Sequence, residues 1–255
     1  MITVGIDSGS QNTKAVALLD GKVAGKAKLP TEFDINRAAE QVYGTILSMV
    51  GFNKEEVRAV VATGAGRGRV EAADARINEI LSAAKGAKHI ETAACVIIDI
   101  GAETARIIRL NSDGTINGYE TNDKCASGTG VFIESIARLL QINIEEMGTY
   151  SLRHSKELPM HAQCVVFAES EVISLIHQRE SKEDIAYGVH KGISGRICSM
   201  ASRTGVNGNI VFIGGLGRNT GLVDCLKKEI GHDISVPEDP EYVSALGAAL
   251  HGALI

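Results

Sequence analysis

The stretch Ile2-Thr-Val-Gly-Ile-Asp7-Ser-Gly-Ser-Gln-Asn-Thr-Lys14 decides the fold, because its pattern occurs a second time in the chain. Its apolar first half predicts a strand that ends in an acid, and its polar second half predicts a tight turn. The second occurrence is Val96-Ile-Ile-Asp99, again an apolar run ending in an acid, followed by the turn Ile100-Gly-Ala-Glu-Thr104. Two copies of one supersecondary unit therefore organise the chain.

Both copies continue in the same way. The dipeptides Asp20-Gly21 and Asp113-Gly114 are strong hairpin signals, and each glycine follows the strand-end acid by 14 or 15 positions. Second and third strands are expected at Ala15–Leu19, Lys22–Leu29, Ala105–Leu110 and Thr115–Glu120.

The rest of the chain alternates between strand and helix patterns. Further strands are expected at Val57–Ala62 and Ile210–Ile213. Helices are expected at Ile35–Val50, Asp74–Lys85, Val131–Leu140, Val165–His177, Ile185–Arg203, Leu222–Ile230 and Tyr242–Leu254. This alternation predicts an α/β fold in which two sheets flanked by helices face each other across a ligand cleft. We expect a first subdomain over residues 1–92, a second over 93–241, and a closing helix over 242–255 that packs back toward the first.

The composition excludes several functional classes. The chain has 255 residues, 44% hydrophobic and 22% charged, with a net charge of −5, which disfavours nucleic acid and anionic membranes as partners. No apolar run is long enough to span a membrane, and the N-terminus enters a strand without a signal-peptide pattern. We therefore expect a cytoplasmic protein.

The five cysteines are an odd number and show no CxxC spacing, which favours reduced thiols or metal ligands over disulfides.

The strand-end turns indicate phosphate chemistry. Asp7-Ser-Gly-Ser10 and Asp99-Ile-Gly101 each place a carboxylate next to a glycine that lets backbone approach a ligand, and Gly214–Gly217 adds a late glycine turn. Phosphoryl transfer needs such backbone amides around the phosphates, a carboxylate for hydrated Mg²⁺ and a group that positions water. One turn of this kind is common in proteins without nucleotides, but two in register predict a nucleotide-phosphate cleft.

A polar, glycine-rich loop lies in the middle of the chain, at Thr121–Gly130, and leads into an amphipathic helix pattern that reaches Leu140. A loop that enters a helix presents free backbone amides and the positive end of the helix dipole, which suits an anion. Cys125 in this loop, beside Lys124, is biased toward the thiolate. The alternative is a plain helix entry with an incidental buried cysteine.

Several motifs resemble known families. The two aspartate turns together with Gly214-Gly215 resemble the actin, sugar kinase and Hsp70 superfamily of ATPases. More closely, the chain resembles the activators of 2-hydroxyacyl-CoA dehydratases, a family that includes the ATPase subunits of benzoyl-CoA reductase. The motifs that carry this closer resemblance are Thr63-Gly-Ala-Gly-Arg67, Asn122-Asp-Lys-Cys-Ala-Ser-Gly-Thr-Gly130, Cys164-Val-Val-Phe-Ala-Glu-Ser-Glu171 and Ala245-Leu-Gly-Ala-Ala249.

The resemblance implies two ribonuclease-H-like, actin-like ATPase subdomains and an ATP-driven one-electron donor. It implies a homodimer bridged by one [4Fe–4S] cluster, with Cys125 and Cys164 as the ligands from each chain. Two thiolates per chain agree with this, since four complete such a cluster and a two-fold axis supplies the same pair twice. Reduced ferredoxin or flavodoxin would be the electron donor, and an acyl-CoA dehydratase or reductase the acceptor.

The resemblance also suggests roles in binding MgATP. Asp7 would hold Mg²⁺ through water, and Asp99 and Glu103 would position the attacking water. Gly214, Gly215 and Asn219 would face the adenosine. The remaining nucleotide contacts are expected from Ser10, Gln11, Asn12, Thr13, Lys14, Gly101, Ser127 and Gly128.

Two departures from the family keep alternatives open. Glu103 stands where these activators usually have glutamine, and Val131 stands where arginine often follows the Gly-Thr-Gly motif. Both lean toward a reductase-type ATPase subunit or a divergent activator. A small-molecule kinase without a cluster and a binding module with inactive ATPase chemistry also remain possible, as does pairing with a paralogous subunit.

The other candidate metal ligands have simpler interpretations. Cysteines 95, 198 and 225 fall inside strand or helix patterns and are expected to fill the core. Four histidines fit no ligand spacing and are expected at the surface or at helix ends: His154, His161, His177 and His190.

Overall fold

The computed structural model describes residues 1–122, 129–160 and 165–255. The chain divides into two compact units. Residues 1–94, 110–116 and 241–255 form the first unit, and residues 95–109 and 117–240 form the second. The helices are α1 Ile35–Val50, α2 Glu79–Ile90, α3 Gly130–Leu140, α4 Met147–Ser151, α5 Val165–His177, α6 Lys182–Thr204, α7 Thr220–Ile230 and α8 Val243–Gly252. The strands are β1 Ile2–Ser8, β2 Asn12–Leu19, β3 Lys22–Pro30, β4 Val57–Thr63, β5 Ala75–Arg76, β6 Ala94–Ile100, β7 Ala105–Leu110, β8 Ile116–Thr121, β9 Asn209–Ile213 and β10 Ile234–Ser235.

The first unit is built on a mixed five-stranded sheet in the order β3-β2-β1-β4-β5. The first three strands are antiparallel neighbours, and β4 joins β1 in parallel, so the carboxyl ends of β1 and β4 lie at one edge of the sheet. Helix α1 packs its apolar stripe on this sheet; it begins at the cap Asp34, whose side chain accepts from Arg37 N, and ends at Gly51 with φ +74°.

Helix α8 packs on the first unit with its backbone unusually close to its neighbours. A Cβ on Gly5 of β1 would lie 2.0 Å from the carbonyl oxygen of Ala245, and one on Gly247 would lie 1.8 Å from that of Ser82 in α2. Only glycine leaves room for such an approach. The small residues of this closing helix therefore bring it against both the sheet and α2.

The second unit repeats the plan with a five-stranded sheet in the order β10-β9-β6-β7-β8. β6 and β7 are antiparallel, and β9 and β10 are parallel. The core between this sheet and its helices is built mainly of branched aliphatic side chains. Its fully buried members include Ile98, Ile100, Ile107, Ile133, Ile136, Ile193 and Phe212.

The structure confirms the predicted fold class, since both units are mixed sheets flanked by helices. Most predicted helices and strands are present with ends shifted by a few residues. The helix predicted at Asp74–Lys85 is wrong at its start. Asp74 is tied to β4, because its carboxylate accepts from Val60 N and its amide donates to Val60 O, so a short strand follows and the helix begins only at Glu79. Strands β5 and β10 and the short helix α4 have no counterpart among the predicted elements.

Helices long and apolar enough to cross a bilayer are absent from the described residues.

Candidate functional site

The strand-end acid of the first unit forms an ion pair. Asp7 lies opposite Lys14 in the β1–β2 register. The ammonium of Lys14 donates to Asp7 Oδ2 at 3.1 Å and to the carbonyl oxygen of Asn12 at 3.2 Å. Both side chains are largely buried, with 13% and 16% of their surface exposed. The structure thus brings together the predicted Mg²⁺ residue and one of the predicted phosphate residues.

The segment after β4 encloses this acid. Gly64 has φ +89°, and a Cβ there would lie 2.5 Å from Asp7 Oδ1. A Cβ on Gly66 would lie 2.3 Å from Ser8 Oγ, and the amide of Gly66 donates to the carbonyl oxygen of Ser8. Arg67 fixes the segment, since its guanidinium donates to the Gly64 carbonyl at 2.9 Å and to Glu79 at 2.8 Å. The backbone of the motif Thr63–Arg67 therefore packs closely around the end of β1.

Ser8 is a site residue that sequence reasoning missed. Its hydroxyl is fully buried and has no hydrogen-bond partner within the part of the chain that the structure describes. Such an orphaned buried hydroxyl is costly unless a ligand or water satisfies it. Its position directly after the acid at the end of β1 was the only available signal.

The polar turn after β1 is held by Thr31. The amide of Thr31 donates to the Gln11 carbonyl at 2.8 Å, and its hydroxyl donates to the Gly9 carbonyl at 2.8 Å. The hydroxyls of Thr13 and Thr31 also lie 2.8 Å apart, and Thr13 is fully buried, so its side chain contributes to the shape of the turn. The side chains of Ser10 and Gln11 are exposed.

The second unit has the same pairing of acid and base. Asp99 lies opposite Arg106 in the β6–β7 register, and Arg106 Nη1 donates to Asp99 Oδ2 at 3.2 Å. Both side chains are largely buried, with 9% and 14% exposed. In each unit the base follows the strand-end acid by seven positions. The sequence comparison of the two copies had not revealed this basic partner in the second one.

Glycines also surround the second acid. Gly214 has φ +87°, and a Cβ there would lie 2.9 Å from Asp99 Oδ1 and 2.4 Å from the carbonyl oxygen of Ile100. Gly215 follows with open space around it. The turn after β6 closes through the amide of Gly101, which donates to the Thr104 carbonyl at 2.8 Å, and Glu103 is exposed on this turn. Gly101 and Gly214 are thus brought together beside Asp99.

Asn219, predicted to face the adenosine, has a structural role in the fold. Its Oδ1 accepts from the amide of Leu222, which caps α7, and its Nδ2 lies 3.1 Å from His190 Nε2. His190 is fully buried, and this burial lowers its pKa to about 3, so the ring is neutral at ordinary pH. The expectation of a surface or capping position was wrong for His190.

The predicted cluster ligands Cys125 and Cys164 lie outside the described residues, as do Ser127, Gly128 and His161. Of the other cysteines, Cys225 is buried, and burial raises the pKa of its thiol to about 12. Cys95 and Cys198 are only partly buried, so the expectation of core filling holds fully for Cys225 alone. Within the described ranges, no three His, Cys, Asp or Glu side chains gather as metal ligands.

These contacts fit Mg²⁺ and phosphates. A strand-end carboxylate can hold Mg²⁺ through its waters, while close backbone and a cation bind the phosphate oxygens. At both turns a Cβ would fill the space that glycine leaves beside the acid, and at the first turn a buried hydroxyl needs a partner. Each acid also forms an ion pair with its own base, Asp7 with Lys14 and Asp99 with Arg106.

Comparison with known proteins identifies the family of the chain. The profile of the BadF/BadG/BcrA/BcrD ATPase family matches residues 4–252. The chain is 38% identical to the activator of lactoyl-CoA dehydratase from Anaerotignum propionicum, over 98% of this chain and 97% of that protein. It is 35% identical to the 2-hydroxyisocaproyl-CoA dehydratase activator from Clostridioides difficile, over 98% of this chain and 94% of that one.

Solved structures of dehydratase activators have the same fold as this chain. The activator of the 2-hydroxyisocaproyl-CoA dehydratase from Clostridium difficile, solved with bound ADPNP, matches with a TM-score of 0.95 at 35% identity, over 99% of this chain and 94% of that chain. Component A of the (R)-2-hydroxyglutaryl-CoA dehydratase from Acidaminococcus fermentans also gives 0.95, at 32% identity over 98% and 97%. Because the family profile covers residues 4–252 and these relatives match over nearly the whole chain, this chain belongs to the BadF/BadG/BcrA/BcrD ATPase family.

Proposed function

We propose that this protein hydrolyses ATP to deliver single electrons at low potential to a 2-hydroxyacyl-CoA dehydratase, which it thereby activates. The observation that carries the proposal is the repeated strand-end site, in which Asp7 and Asp99 are each held by a base and walled by glycine backbone. The similar proteins named as dehydratase activators share nearly the whole length of this chain, which supports the same task here.

In this proposal the two turns bind MgATP. Asp7 holds Mg²⁺ through water, and Asp99 and Glu103 orient the water that attacks the γ-phosphorus. Gly214, Gly215 and Asn219 contact the adenosine part. The phosphates and the rest of the nucleotide are bound by Ser10, Gln11, Asn12, Thr13, Lys14, Gly101, Ser127 and Gly128. The ADPNP in the similar Clostridium difficile structure supports nucleotide binding by this fold.

Cys125 and Cys164 would ligate one [4Fe–4S] cluster together with the same two residues of a second copy. The cluster, when bound, supplies one-electron transfer at low potential. The fit rests on the helix that follows: α5 begins at Val165, directly after Cys164 in the sequence, and the positive end of its dipole favours a thiolate there.

The surface of α5 supports a dimer. Three apolar side chains of α5 are exposed: Phe167 at 70%, Ile173 at 41% and Ile176 at 38%. An apolar helix that leaves such side chains in water is typical of an interface. Because Phe167 lies in the first turn of α5, the helix that begins directly after Cys164 in the sequence, a second copy that packs on Phe167 would bring its own Cys164 near. Reduced ferredoxin or flavodoxin would load the cluster.

The proposal is tested with the full-length protein purified without oxygen. It should contain about four iron atoms per two chains, hydrolyse ATP, and transfer electrons to an acyl-CoA dehydratase only while ATP is hydrolysed. Cys125→Ser and Cys164→Ser should each abolish iron binding and leave ATP binding intact. Cys198→Ser, which changes a partly buried cysteine of α6, is the matched control and should keep its iron.

Full iron content in either cluster-ligand variant would overturn the assignment of the ligands. ATP-independent electron transfer, or phosphorylation of a small molecule in place of hydrolysis, would overturn the function itself.

A further inference from the structure

His190 is a buried histidine of α6 that contacts the segment between the late glycine turn and α7. Its ring is fully buried, and its Nε2 lies 3.1 Å from Nδ2 of Asn219. The backbone of Asn219 ends the short helical turn Gly215–Arg218, because its amide donates to the Leu216 carbonyl at 3.0 Å and its carbonyl accepts from the Val223 amide. His190 therefore supports, from α6, the segment that we propose to bind the adenosine.

The hydrogen bonds of Asn219 determine where the proton of this ring lies. Asn219 Oδ1 accepts from the amide of Leu222 at 3.0 Å, which fixes the positions of the oxygen and the nitrogen in its side-chain amide. Because Nδ2 can only donate, Nε2 of His190 must accept and carries no proton. Burial lowers the pKa of His190 to about 3, so the ring is neutral at ordinary pH and its single proton is on Nδ1.

Two buried hydroxyls are available to the protonated nitrogen. The Cβ of Ser151 in α4 and Nδ1 of His190 both lie within 3.0 Å of the place that a Cβ on Gly221 would take. Ser194 follows His190 by one turn of α6 and is also fully buried. In the described part of the chain, His190 Nδ1 and the two serine hydroxyls have no hydrogen-bond partner. An imidazole N–H that meets these hydroxyls, directly or through a buried water, would satisfy all three groups.

The hydroxyl of Ser194 differs from those further along α6. Ser199, Ser202 and Thr204 each donate to the carbonyl four positions earlier, at 2.8 to 2.9 Å. Ser194 makes no such bond, and its hydroxyl has no partner among the described residues. This hydroxyl is therefore available to the ring of His190, which lies four positions earlier on the same face of the helix.

We propose that His190 is a positioning residue for the adenosine end of the nucleotide site: its unprotonated Nε2 holds Asn219, and thereby the turn Gly215–Arg218, in the shape that binds adenosine. The inference rests on the proposed function, because it takes this turn and Asn219 as the adenosine contacts. Since His190 acts only through Asn219, it should affect the binding of the nucleotide and not the chemical step.

Two substitutions separate the roles of the two ring nitrogens. The side-chain oxygen of glutamine can take the place of Nε2 and accept from Asn219, whereas the shorter asparagine offers polar atoms only near the place of Nδ1. His190→Asn should therefore raise the Kd for ADP and the KM for ATP about fivefold, the usual effect of losing one hydrogen bond, and leave kcat near the wild-type value. His190→Gln should bind ADP like the wild type.

The experiment uses the full-length protein purified without oxygen. Titration calorimetry measures the Kd for ADP, and steady-state phosphate release measures KM and kcat. Inorganic pyrophosphate, which has no adenosine part, should inhibit ATP hydrolysis equally in the wild type and both His190 variants. Ile193→Val shortens a fully buried side chain of the same helix, so it is the control for a loss of core stability and should keep the wild-type affinity.

A second measurement needs only the wild-type fold. NMR of the imidazole nitrogens distinguishes the two neutral tautomers, and the signal of His190, identified by its absence from His190→Gln, should show the proton on Nδ1. A proton on Nε2, wild-type affinity for ADP in His190→Asn, or an equal loss of affinity in both His190 variants would each overturn the inference. Absence of ADP binding in the wild-type protein would instead overturn the proposed function, so the two failures are distinguishable.

Discussion

At the scale of single residues, the proposed chemistry depends on the two strand-end acids, Asp7 and Asp99, each of which is paired with a base. A carboxylate at the end of a strand can hold Mg²⁺ or orient water in phosphoryl transfer. Lys14 and Arg106 are the bases, at equivalent places in the two units. Because each acid is paired with a base, a substitution that removes only the charge of the acid should already impair the site.

Asp7→Asn and Asp99→Asn should each lower Mg²⁺-dependent ATP hydrolysis by at least about a hundredfold, the usual loss when a group that acts on the transition state is removed. Asparagine keeps the shape and an oxygen for the neighbouring base but removes the charge. Steady-state phosphate release measures the effect. Asp20→Asn, in the exposed β2–β3 hairpin, is the control and should retain wild-type turnover. Normal turnover in both strand-end variants would contradict the proposed site.

His190 makes the stability depend on pH. Its native pKa of about 3 lies below the ordinary value of 6.5, so the unfolded chain binds a proton first as the pH falls. The free energy of unfolding should therefore decrease below pH 6.5, by about 2 kcal/mol between pH 7 and pH 5. His251 adds in the same direction, because burial and then Lys85 lower its pKa.

Urea denaturation at pH 7, 6 and 5 measures this dependence. His190→Gln should lose most of the decrease, since it keeps a polar group for Asn219 but has no proton to bind, whereas exposed His177→Gln should retain it. If His190→Gln keeps the wild-type decrease in the free energy of unfolding between pH 7 and pH 5, the assignment of that decrease to His190 is wrong.

A second decrease in the free energy of unfolding is expected below pH 3.8. The carboxylate of Asp184 accepts from Ser155, Lys156 and Ser181, and these bonds outweigh its desolvation and hold its native pKa at about 2.

At the scale of elements, glycine decides how closely helices approach. Helix α8 rests on β1 and α2 through backbone contacts at Gly5 and Gly247. In α1, by contrast, Gly44 has no atom within 4 Å of the place a Cβ would take. The same substitution therefore has opposite effects at the two kinds of site.

Gly5→Ala should destabilise the protein by about 3 kcal/mol or more, because the Cβ would overlap a backbone carbonyl that no rotamer change can move. Gly44→Ala should stabilise it by roughly 0.5–1 kcal/mol, because alanine is the better helix former. Thermal unfolding of both variants beside the wild type measures the difference. A mild effect of Gly5→Ala would mean that α8 does not pack on β1 as described.

At the scale of the whole molecule, the exposed apolar side chains of α5 connect the cluster proposal to assembly. Phe167 is the most exposed of them, and aromatic side chains at an interface centre commonly dominate its energy. Charge at this position is incompatible with a buried contact.

Phe167→Asp should weaken self-association by at least about a hundredfold, the scale of an interface hot spot. In the proposed arrangement one chain supplies only two of the four ligands, so the cluster should be lost with the dimer. Light scattering after size exclusion and iron analysis, both without oxygen, measure the two effects. Met49→Asp changes a similarly exposed apolar residue of α1, 63% against 70%, and should leave the dimer intact. A dimeric Phe167→Asp variant with full iron would exclude α5 as the interface.

The sequence by itself determined the fold class and the main elements. Alternating and periodic apolar residues fix strands and helices locally, and the Asp-Gly signals fix the hairpins, so the repeated unit could be recognised before any contact was known. The family motifs likewise lie in continuous stretches. Signals of this kind need only neighbours along the chain.

Tertiary structure alone decided the contacts between distant residues. The approach of Gly64 to Asp7, the bond of Asn219 to the buried His190 and the hold of Asn122 on Ala105 join residues 17 to 57 positions apart. Asp74 lies beside β4 and outside any helix because it exchanges two hydrogen bonds with Val60, against the helical pattern of its own segment. Such contacts depend on which elements pack together, and local propensity yields to the hydrogen bonds and burial that the packing supplies.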